Sequence, residues 1–144
     1  MPGENSSPLA EEMKNSPAHD CSLCPRLRRY LLENRAAFPD WHNAPVNTWY
    51  PAEGPSSVKL LIVGLAPGLR GANRTGIPFT GDDSGSLLFQ TLMRHGFATA
   101  VDQSEFPSQH RLTGTAITNA VRCVPPANRP LAAEINTCRS FLSE

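Results

Sequence analysis

The feature that most constrains the fold is an apolar segment that leads directly into a glycine-rich loop. The segment "VKLLIVGL" (58–65) is almost continuously apolar and is bounded by turn residues, a pattern typical of a strand covered on both faces. Residues 60–85 contain six glycines, two arginines and two aspartates. Because ligands of open α/β sheets bind at loops that follow parallel strands, the sequence predicts a ligand site in this loop.

The remaining elements fit an α/β domain. A short helix is expected within 21–38, a second within 84–97, a buried strand within 113–123 and a further helix within 131–142. Asp82, Asp83 or Ser84 can cap the second helix, and Gly96 can end it. Strand, loop, helix, strand and helix in this order predict an α/β fold with a parallel sheet.

Length and composition limit the functional classes. The chain has 144 residues, the size of one domain. Its 13 basic and 13 acidic residues cancel, so no global field attracts nucleic acid, although eleven of the cations are arginine, which suits bidentate phosphate contacts. The sequence has no secretory apolar region and no apolar run of ~18 residues. We therefore expect a cytoplasmic protein without a membrane partner, with a polar, disordered leader over 1–20 and one domain over 21–144.

The four cysteines are Cys21, Cys24, Cys123 and Cys138. In a cytoplasmic protein such residues favour ligands or free thiols over disulfides. Three interpretations stay open: buried thiols with a chance C-x2-C pair, zinc held by four thiolates, or a 4Fe–4S cluster on the same ligands, which the following Pro25 favours. The spacing indicates a metal but does not separate zinc from iron.

Two common phosphate-binding motifs do not fit the glycine loop. A P-loop requires a lysine after a glycine, and the loop has none. The glycines at 64, 68 and 71 lack the spacing of the dinucleotide-binding fingerprint. Phe79 has two open interpretations, a core residue or a stacking surface for a ring, and Asp82 and Asp83 are either helix-start residues or catalysts.

Three separated parts of the sequence together resemble one enzyme family. The segments "GLAPGLRGANRTGIPFTGDDSG" (64–85) and "ITNAVRCVPPANRP" (117–130), with the four cysteines, are similar to those of the type b (family 5) uracil-DNA glycosylases. The resemblance extends from residue 21 to about residue 142. Leu65 and Ala66 stand where the related type a enzymes carry a glutamate after the first glycine, so the sequence resembles type b.

The resemblance implies a three-layer α/β/α sandwich around a central parallel sheet, with the C-terminal part missing. It also implies hydrolysis of the N-glycosidic bond of uracil in DNA, with other deaminated bases left open, as the first step of base excision repair. The target base must leave the duplex, and positive charge develops on the sugar in the transition state. The implied protein is a monomer with a 4Fe–4S cluster that acts on double-stranded DNA, with single strands left open.

The resemblance also assigns roles in a base pocket. Its floor would be formed by Gly64, Ala66, Pro67 and Gly68. Phe79 would stack on the flipped base, and Asn119 would read its edge, since a carboxamide offers both a donor and an acceptor. Asn73 is the first candidate to orient water, and Asp82 is the second candidate, able as a carboxylate to stabilise the sugar cation.

Charged and sulfur-containing residues complete the implied site. Arg74, Arg122 and Arg129 are candidates for DNA-phosphate contacts, with a solvated surface as the alternative. Cys21, Cys24, Cys123 and Cys138 would hold the cluster, in a structural role because glycosidic hydrolysis moves no electrons.

One part of the family pattern is not found. The third motif, an HPS-type loop that supplies a histidine, is absent from the sequence, since none of its histidines is followed by Pro-Ser. We therefore expect a truncated chain, and a non-catalytic iron–sulfur or zinc DNA-binding remnant is the rival interpretation. A nucleotide-binding protein that uses the loop for free phosphate ranks third.

Overall fold

The computed structural model describes residues 16–100 and 110–142. In those ranges the helices are α1 (Pro25–Ala37), α2 (Ala72–Thr75), α3 (Ser86–Arg94) and α4 (Ala132–Cys138). The strands are β1 (Leu60–Gly64), β2 (Ala98–Ala100), β3 (His110–Leu112) and β4 (Thr115–Asn119). Short 3-10 turns lie at Pro55–Ser57, Asp83–Gly85, Pro126–Asn128 and Arg139–Phe141. No helix in this part of the chain is long and apolar enough to cross a membrane.

The site is positioned by the parallel pair of β1 and β4. Their register runs from Leu60 opposite Thr115 to Gly64 opposite Asn119, so both strands end at the same level. Trp49 forms an antiparallel bridge to Ile117 in β4. The parallel pair with intervening helices confirms the predicted α/β class.

The two strands differ in burial, and this corrects the expectation for β1. All five residues of β4 are buried, as expected. Leu61, Val63 and Leu65 are instead 50%, 46% and 55% exposed. Their spacing of two places them on one face of the strand, and no described element covers that face. An apolar run therefore identified the strand but not what covers it.

The core lies on the other side of the sheet. It is formed by Phe89 and Leu92 of α3, Ala98 of β2, Leu112 of β3 and Ile117 of β4. The antiparallel pairing of β2 with β3 was not predicted from the sequence, since strands of three residues carry too little periodicity.

Helix α3 begins later than expected. Its N-cap residue is Gly85, with no side-chain cap, so none of the three expected residues, Asp82, Asp83 and Ser84, is the N-cap residue of this helix. The 3-10 turn at 83–85 occupies that position instead. The expected end of the helix is confirmed, because Gly96 adopts the left-handed conformation at φ 80° just after the last helical residue.

The segment before α1 is attached to that helix. Asp20 forms an ion pair of 2.8 Å with Arg35, and its backbone oxygen accepts a hydrogen bond of 2.6 Å from Arg28. These contacts fix the last residues of the expected leader, while residues 1–15 lie outside the described ranges. The domain boundary at residue 20 stays a prediction.

Candidate functional site

A cavity of about 410 Å³ opens where β1 and β4 end. It contains all six residues predicted to bind the substrate, together with Asp82. Its lining is Gly64, Leu65, Ala66, Pro67, Gly68, Ala72, Phe79, Asp82, Asn119 and Asn128. Two segments more than thirty residues apart in the sequence thus form one wall, because parallel strands bring their carboxyl ends together.

Gly64 allows two side chains to meet at the floor of the cavity. A Cβ atom at this position would lie 2.5 Å from Asn119 Oδ1 and 2.5 Å from Phe79 Cζ, closer than real contacts allow. The absent side chain therefore leaves room for an aromatic ring and a carboxamide next to each other. These groups can stack on a ring and hydrogen-bond its edge.

The position of Phe79 is compatible with both interpretations that the sequence left open. Its side chain lines the cavity and also packs against the core cluster. Its backbone has φ 58°, a conformation that bulky residues rarely adopt. The ring is thus held by the core at one side and presented to the cavity at the other.

Asp82 lies against the glycines of the loop. A Cβ atom at Gly68 would be 3.0 Å from Asp82 Oδ2, and one at Gly71 would overlap the carboxylate. These glycines therefore permit a close approach of the loop backbone to Asp82. The result is an anionic side chain in the wall of a cavity that is otherwise mostly apolar.

Asn73 is fully buried, with 0% exposure, and is not among the residues that line the cavity. Its Nδ2 donates to Asn43 Oδ1 at 3.0 Å and to the backbone oxygen of Leu69 at 3.4 Å. The orientation follows from Asn43, whose own Nδ2 donates to the backbone oxygen of Phe38 at 2.7 Å. Asn73 Oδ1 is thereby left as a buried acceptor with no hydrogen-bond partner among the described residues.

The three candidate phosphate-binding arginines have different environments. Arg74 is partly exposed and donates to the backbone oxygens of Arg70 at 2.7 Å and Gly81 at 2.6 Å, so it braces the glycine loop. Arg129 is exposed. Arg122 is 1% exposed, which corrects the expectation for this residue, because a buried guanidinium does not reach a DNA phosphate at the surface.

A second, smaller cavity is lined by all four cysteines. Cys21, Cys24, Cys123 and Cys138 share this lining with the buried Arg122. Burial raises the pKa of Cys123 to about 12, and the neighbouring Cys138 adds to the rise. The thiol of Cys123 is therefore protonated at neutral pH, and a metal would have to displace its proton on binding.

The donor set fits a metal of the type that the sequence suggested. In the described ranges, no three His, Cys, Asp or Glu side chains converge tightly enough to form a preformed ion site. The four thiols nevertheless surround one cavity, and an all-sulfur set suits zinc or an iron–sulfur cluster. The geometry does not distinguish between these two metals.

An ion pair holds the helices that carry two of the cysteines. Cys24 is the N-cap residue of α1, and Cys138 is the last residue of α4. Arg26 donates from Nη2 to Glu134 Oε1 at 2.6 Å and from Nε to Oε2 at 3.0 Å. Glu134 also accepts a hydrogen bond of 2.8 Å from the backbone N–H of Leu131. This bidentate contact brings the two ends of the sequence together beside the cysteine cavity.

Comparison with known proteins gives the family. The model of the uracil DNA glycosylase superfamily matches residues 51–144, the stretch that contains every residue of the larger cavity. The chain belongs to this superfamily.

Individual relatives define the branch of the superfamily. A type-5 uracil-DNA glycosylase of Thermus thermophilus is 41% identical over 125 residues, covering 82% of this chain and 54% of that protein. One of Mycobacterium tuberculosis is 40% identical over 129 residues, covering 85% of this chain and 47% of that protein. A type-4 enzyme of Pyrobaculum aerophilum is 36% identical over 93 residues, covering 64% of this chain and 40% of that protein. The type 5 relationship is confirmed, and the chain spans about half the length of its type-5 relatives.

Two asparagines at or near the site were not predicted from the sequence. Asn128 lines the larger cavity and has φ 57°; its place in "PPANRP", inside a segment that carried the family resemblance, was the available signal. Asn43 is 1% exposed and supports Asn73. It lies in an irregular segment with no motif, so only the folded chain reveals it.

Proposed function

We propose that the whole protein is a DNA repair glycosylase that hydrolyses the N-glycosidic bond of uracil, the first step of base excision repair. The observation that carries this proposal is the convergence of Phe79 and Asn119 on one cavity floor at Gly64. The cavity volume of about 410 Å³ is in the range of small-molecule sites. The site therefore accommodates a base that has left the duplex.

Base recognition follows from the chemistry of the floor. The ring of Phe79 offers a stacking surface, and stacking is tolerant of sequence because every base has a π-face. The carboxamide of Asn119 offers a donor and an acceptor side by side. It can pair with a carbonyl and an adjacent ring N–H of uracil, whereas cytosine presents an amino donor in place of that carbonyl. A carboxamide held in that orientation would favour uracil over cytosine, since cytosine requires the amide turned by 180°.

Bond cleavage requires charge stabilisation and a positioned water. Asp82 is the candidate for the first task, because a carboxylate in the cavity wall would stabilise positive charge on the sugar. Asn73 is the candidate for the second task, since its buried Oδ1 is a free acceptor among the described residues. It lies one residue beyond Ala72, which lines the cavity.

DNA contacts and the cofactor complete the proposal. Arg74 and Arg129 are the proposed phosphate contacts on double-stranded DNA, with a salt-dependent affinity as the consequence. The four cysteines would hold a 4Fe–4S cluster that fastens α1 and α4 to the turn after β4. We assign the protein to the cytoplasm, as a monomer.

The test is release of uracil from a labelled duplex under single-turnover conditions, with iron and sulfide measured on the same samples. The chain is compared with its Asp82→Asn and Asn73→Ala variants. We expect Asp82→Asn to lower the rate about 10²-fold, as for loss of a single electrostatic stabiliser, and Asn73→Ala to lower it as well. Release at the same rate by all three proteins would contradict both roles.

Two outcomes would separate the rival functions from the proposed one. Binding of the duplex with bound metal but without release of uracil would support a non-catalytic DNA-binding protein. Binding of free mononucleotides without binding of DNA would support the nucleotide-binding alternative.

A further inference from the structure

Arg122 is the largest fully buried side chain in the described part of the protein. Its Nε donates to the backbone oxygen of Asn119 at 2.9 Å, and its Nη2 donates to that of Phe141 at 3.0 Å. The third nitrogen, Nη1, is buried and has no hydrogen-bond partner among the described residues. The guanidinium stays charged in a protein, so this position contains a desolvated cation with an unused donor.

A buried cation of this kind requires an anionic partner. Burial of an ion is costly unless it is paired and hydrogen-bonded. In the described ranges, the ion pairs are Arg26 with Glu134 and Arg35 with Asp20, and neither includes Arg122. Backbone oxygens supply partial charges only. No carboxylate of the described residues forms an ion pair with this guanidinium.

The cavity that Arg122 lines also contains the groups that could supply an anion. The same cavity is lined by the four cysteines, and Cys123 is the next residue along the chain. Metal binding deprotonates thiols outright. Four thiolates outweigh the positive charge of a zinc ion or of a 4Fe–4S core, so the loaded site is anionic.

We propose that Arg122 is the buried counter-cation of the four-cysteine site, with Nη1 as the donor available to it. This inference rests on the proposed cofactor. Net charge and hydrogen bonds to the sulfurs set the reduction potential of an iron–sulfur cluster. A neighbouring cation stabilises the more negative, reduced state and therefore raises that potential.

Arg122 also connects this site to the base cavity. Its Nε holds the backbone oxygen of Asn119, whose side chain lines the cavity floor. The guanidinium is therefore a positioning group between the metal site and the residue proposed to read the base.

The test compares Arg122→Gln and Arg122→Lys with the parent chain. Arg28→Gln is the matched control, because Arg28 lines the same cavity but is partly exposed and donates to the backbone oxygen of Asp20. Iron and sulfide per chain, the visible absorption spectrum and the reduction potential are measured at low and high salt. Circular dichroism verifies that each variant is folded.

We expect Arg122→Gln to lower the reduced-to-oxidised ratio at a fixed potential at least tenfold, which is 59 mV for one electron. Arg122→Lys retains the positive charge, so its reduced-to-oxidised ratio at the same potential should be close to that of the parent chain. The shift in reduction potential of Arg122→Gln should be independent of salt concentration. Any shift in the reduction potential of Arg28→Gln should instead become smaller at high salt. If Arg122→Gln does not fold, a lysine variant with the parent potential still supports the charge role.

Two results would overturn the inference in distinguishable ways. A parent chain that binds iron and sulfide, with Arg122→Gln loaded at an unchanged potential, contradicts the role of Arg122 and leaves the cofactor proposal standing. A parent chain that binds no metal at its cysteines contradicts the proposed cluster and the inference with it.

Discussion

Asn43 is the position at which a single substitution should most clearly test the hydrogen-bond network behind the candidate site. The residue is 1% exposed and has φ 45°. Its Nδ2 donates to the backbone oxygens of Phe38 at 2.7 Å and Asn34 at 3.3 Å, and its Oδ1 accepts from Asn73 at 3.0 Å. Asn43→Ala removes all of these side-chain contacts and leaves the fully buried Nδ2 of Asn73 without its 3.0 Å acceptor.

The expected cost is the sum of two contributions. The buried hydrogen bond from Asn73 is lost, and an abandoned buried polar partner costs about 1–3 kcal/mol. Alanine in the left-handed backbone region adds about 1 kcal/mol relative to a residue that tolerates it. We expect Asn43→Ala to lower the free energy of unfolding by about 2–4 kcal/mol, a large share of the roughly 5–15 kcal/mol of a typical domain.

A matched control separates the two contributions. Asn128 is exposed and has φ 57°, so Asn128→Ala should lose only the backbone contribution of about 1 kcal/mol. Urea unfolding followed by far-UV circular dichroism gives the midpoint and slope for each variant. The free energies of unfolding of Asn43→Ala and Asn128→Ala are then compared. If they differ by less than about 0.5 kcal/mol, a range typical of neutral substitutions, the hydrogen-bond network contributes nothing to stability and the reasoning is refuted.

Two further substitutions test the site and the helix contact beside the cysteines. Gly64→Ala would push a Cβ atom into the two side chains at the cavity floor, and we expect at least a tenfold lower rate of uracil release with bound iron unchanged; an unaltered rate would contradict the proposed floor. The hydrogen bonds from Arg26 hold the pKa of Glu134 below its ordinary value of 4.5. A lowered pKa in the folded state adds stability above the unfolded pKa, and that stability is lost as the pH falls through the folded pKa. The stability difference between the parent chain and Glu134→Gln should therefore be full at pH 7 and narrow below pH 4.5, as measured by urea unfolding at each pH.

The parts of the fold that were predictable are those with a local signal. The apolar segments at β1 and β4 and the glycine that ends α3 are visible in the sequence, and parallel strands must end at the same side of a sheet. That geometry alone brings Gly64 and Asn119 together. Most of the candidate base cavity therefore follows from two strands and one loop.

The parts that were missed depend on long-range contacts. The bond between Asn43 and Asn73 joins residues thirty positions apart, and neither flanking sequence shows it. Arg122 was expected at the surface, as a phosphate contact or a solvated residue, whereas it is buried and donates to the backbone oxygens of Asn119 and Phe141. The uncovered face of β1 was missed for a related reason, since periodicity identifies an apolar face but not its partner.

The turn after β4 links the two cavities. It suggests a structural role for the proposed metal at the four cysteines. Backbone N–H groups of Ala120 and Val121 donate to the oxygens of Gly64 at 2.8 Å and Leu65 at 3.0 Å, which extends the parallel pairing beyond the strands. Asn119 lies at the start of this turn in one cavity, and Cys123 lies at its end in the other. A metal that fixes Cys123 to cysteines on α1 and α4 would restrict the backbone that carries Asn119. Loss of that metal should therefore weaken base recognition through a few residues of backbone, without any change in the residues that touch the base.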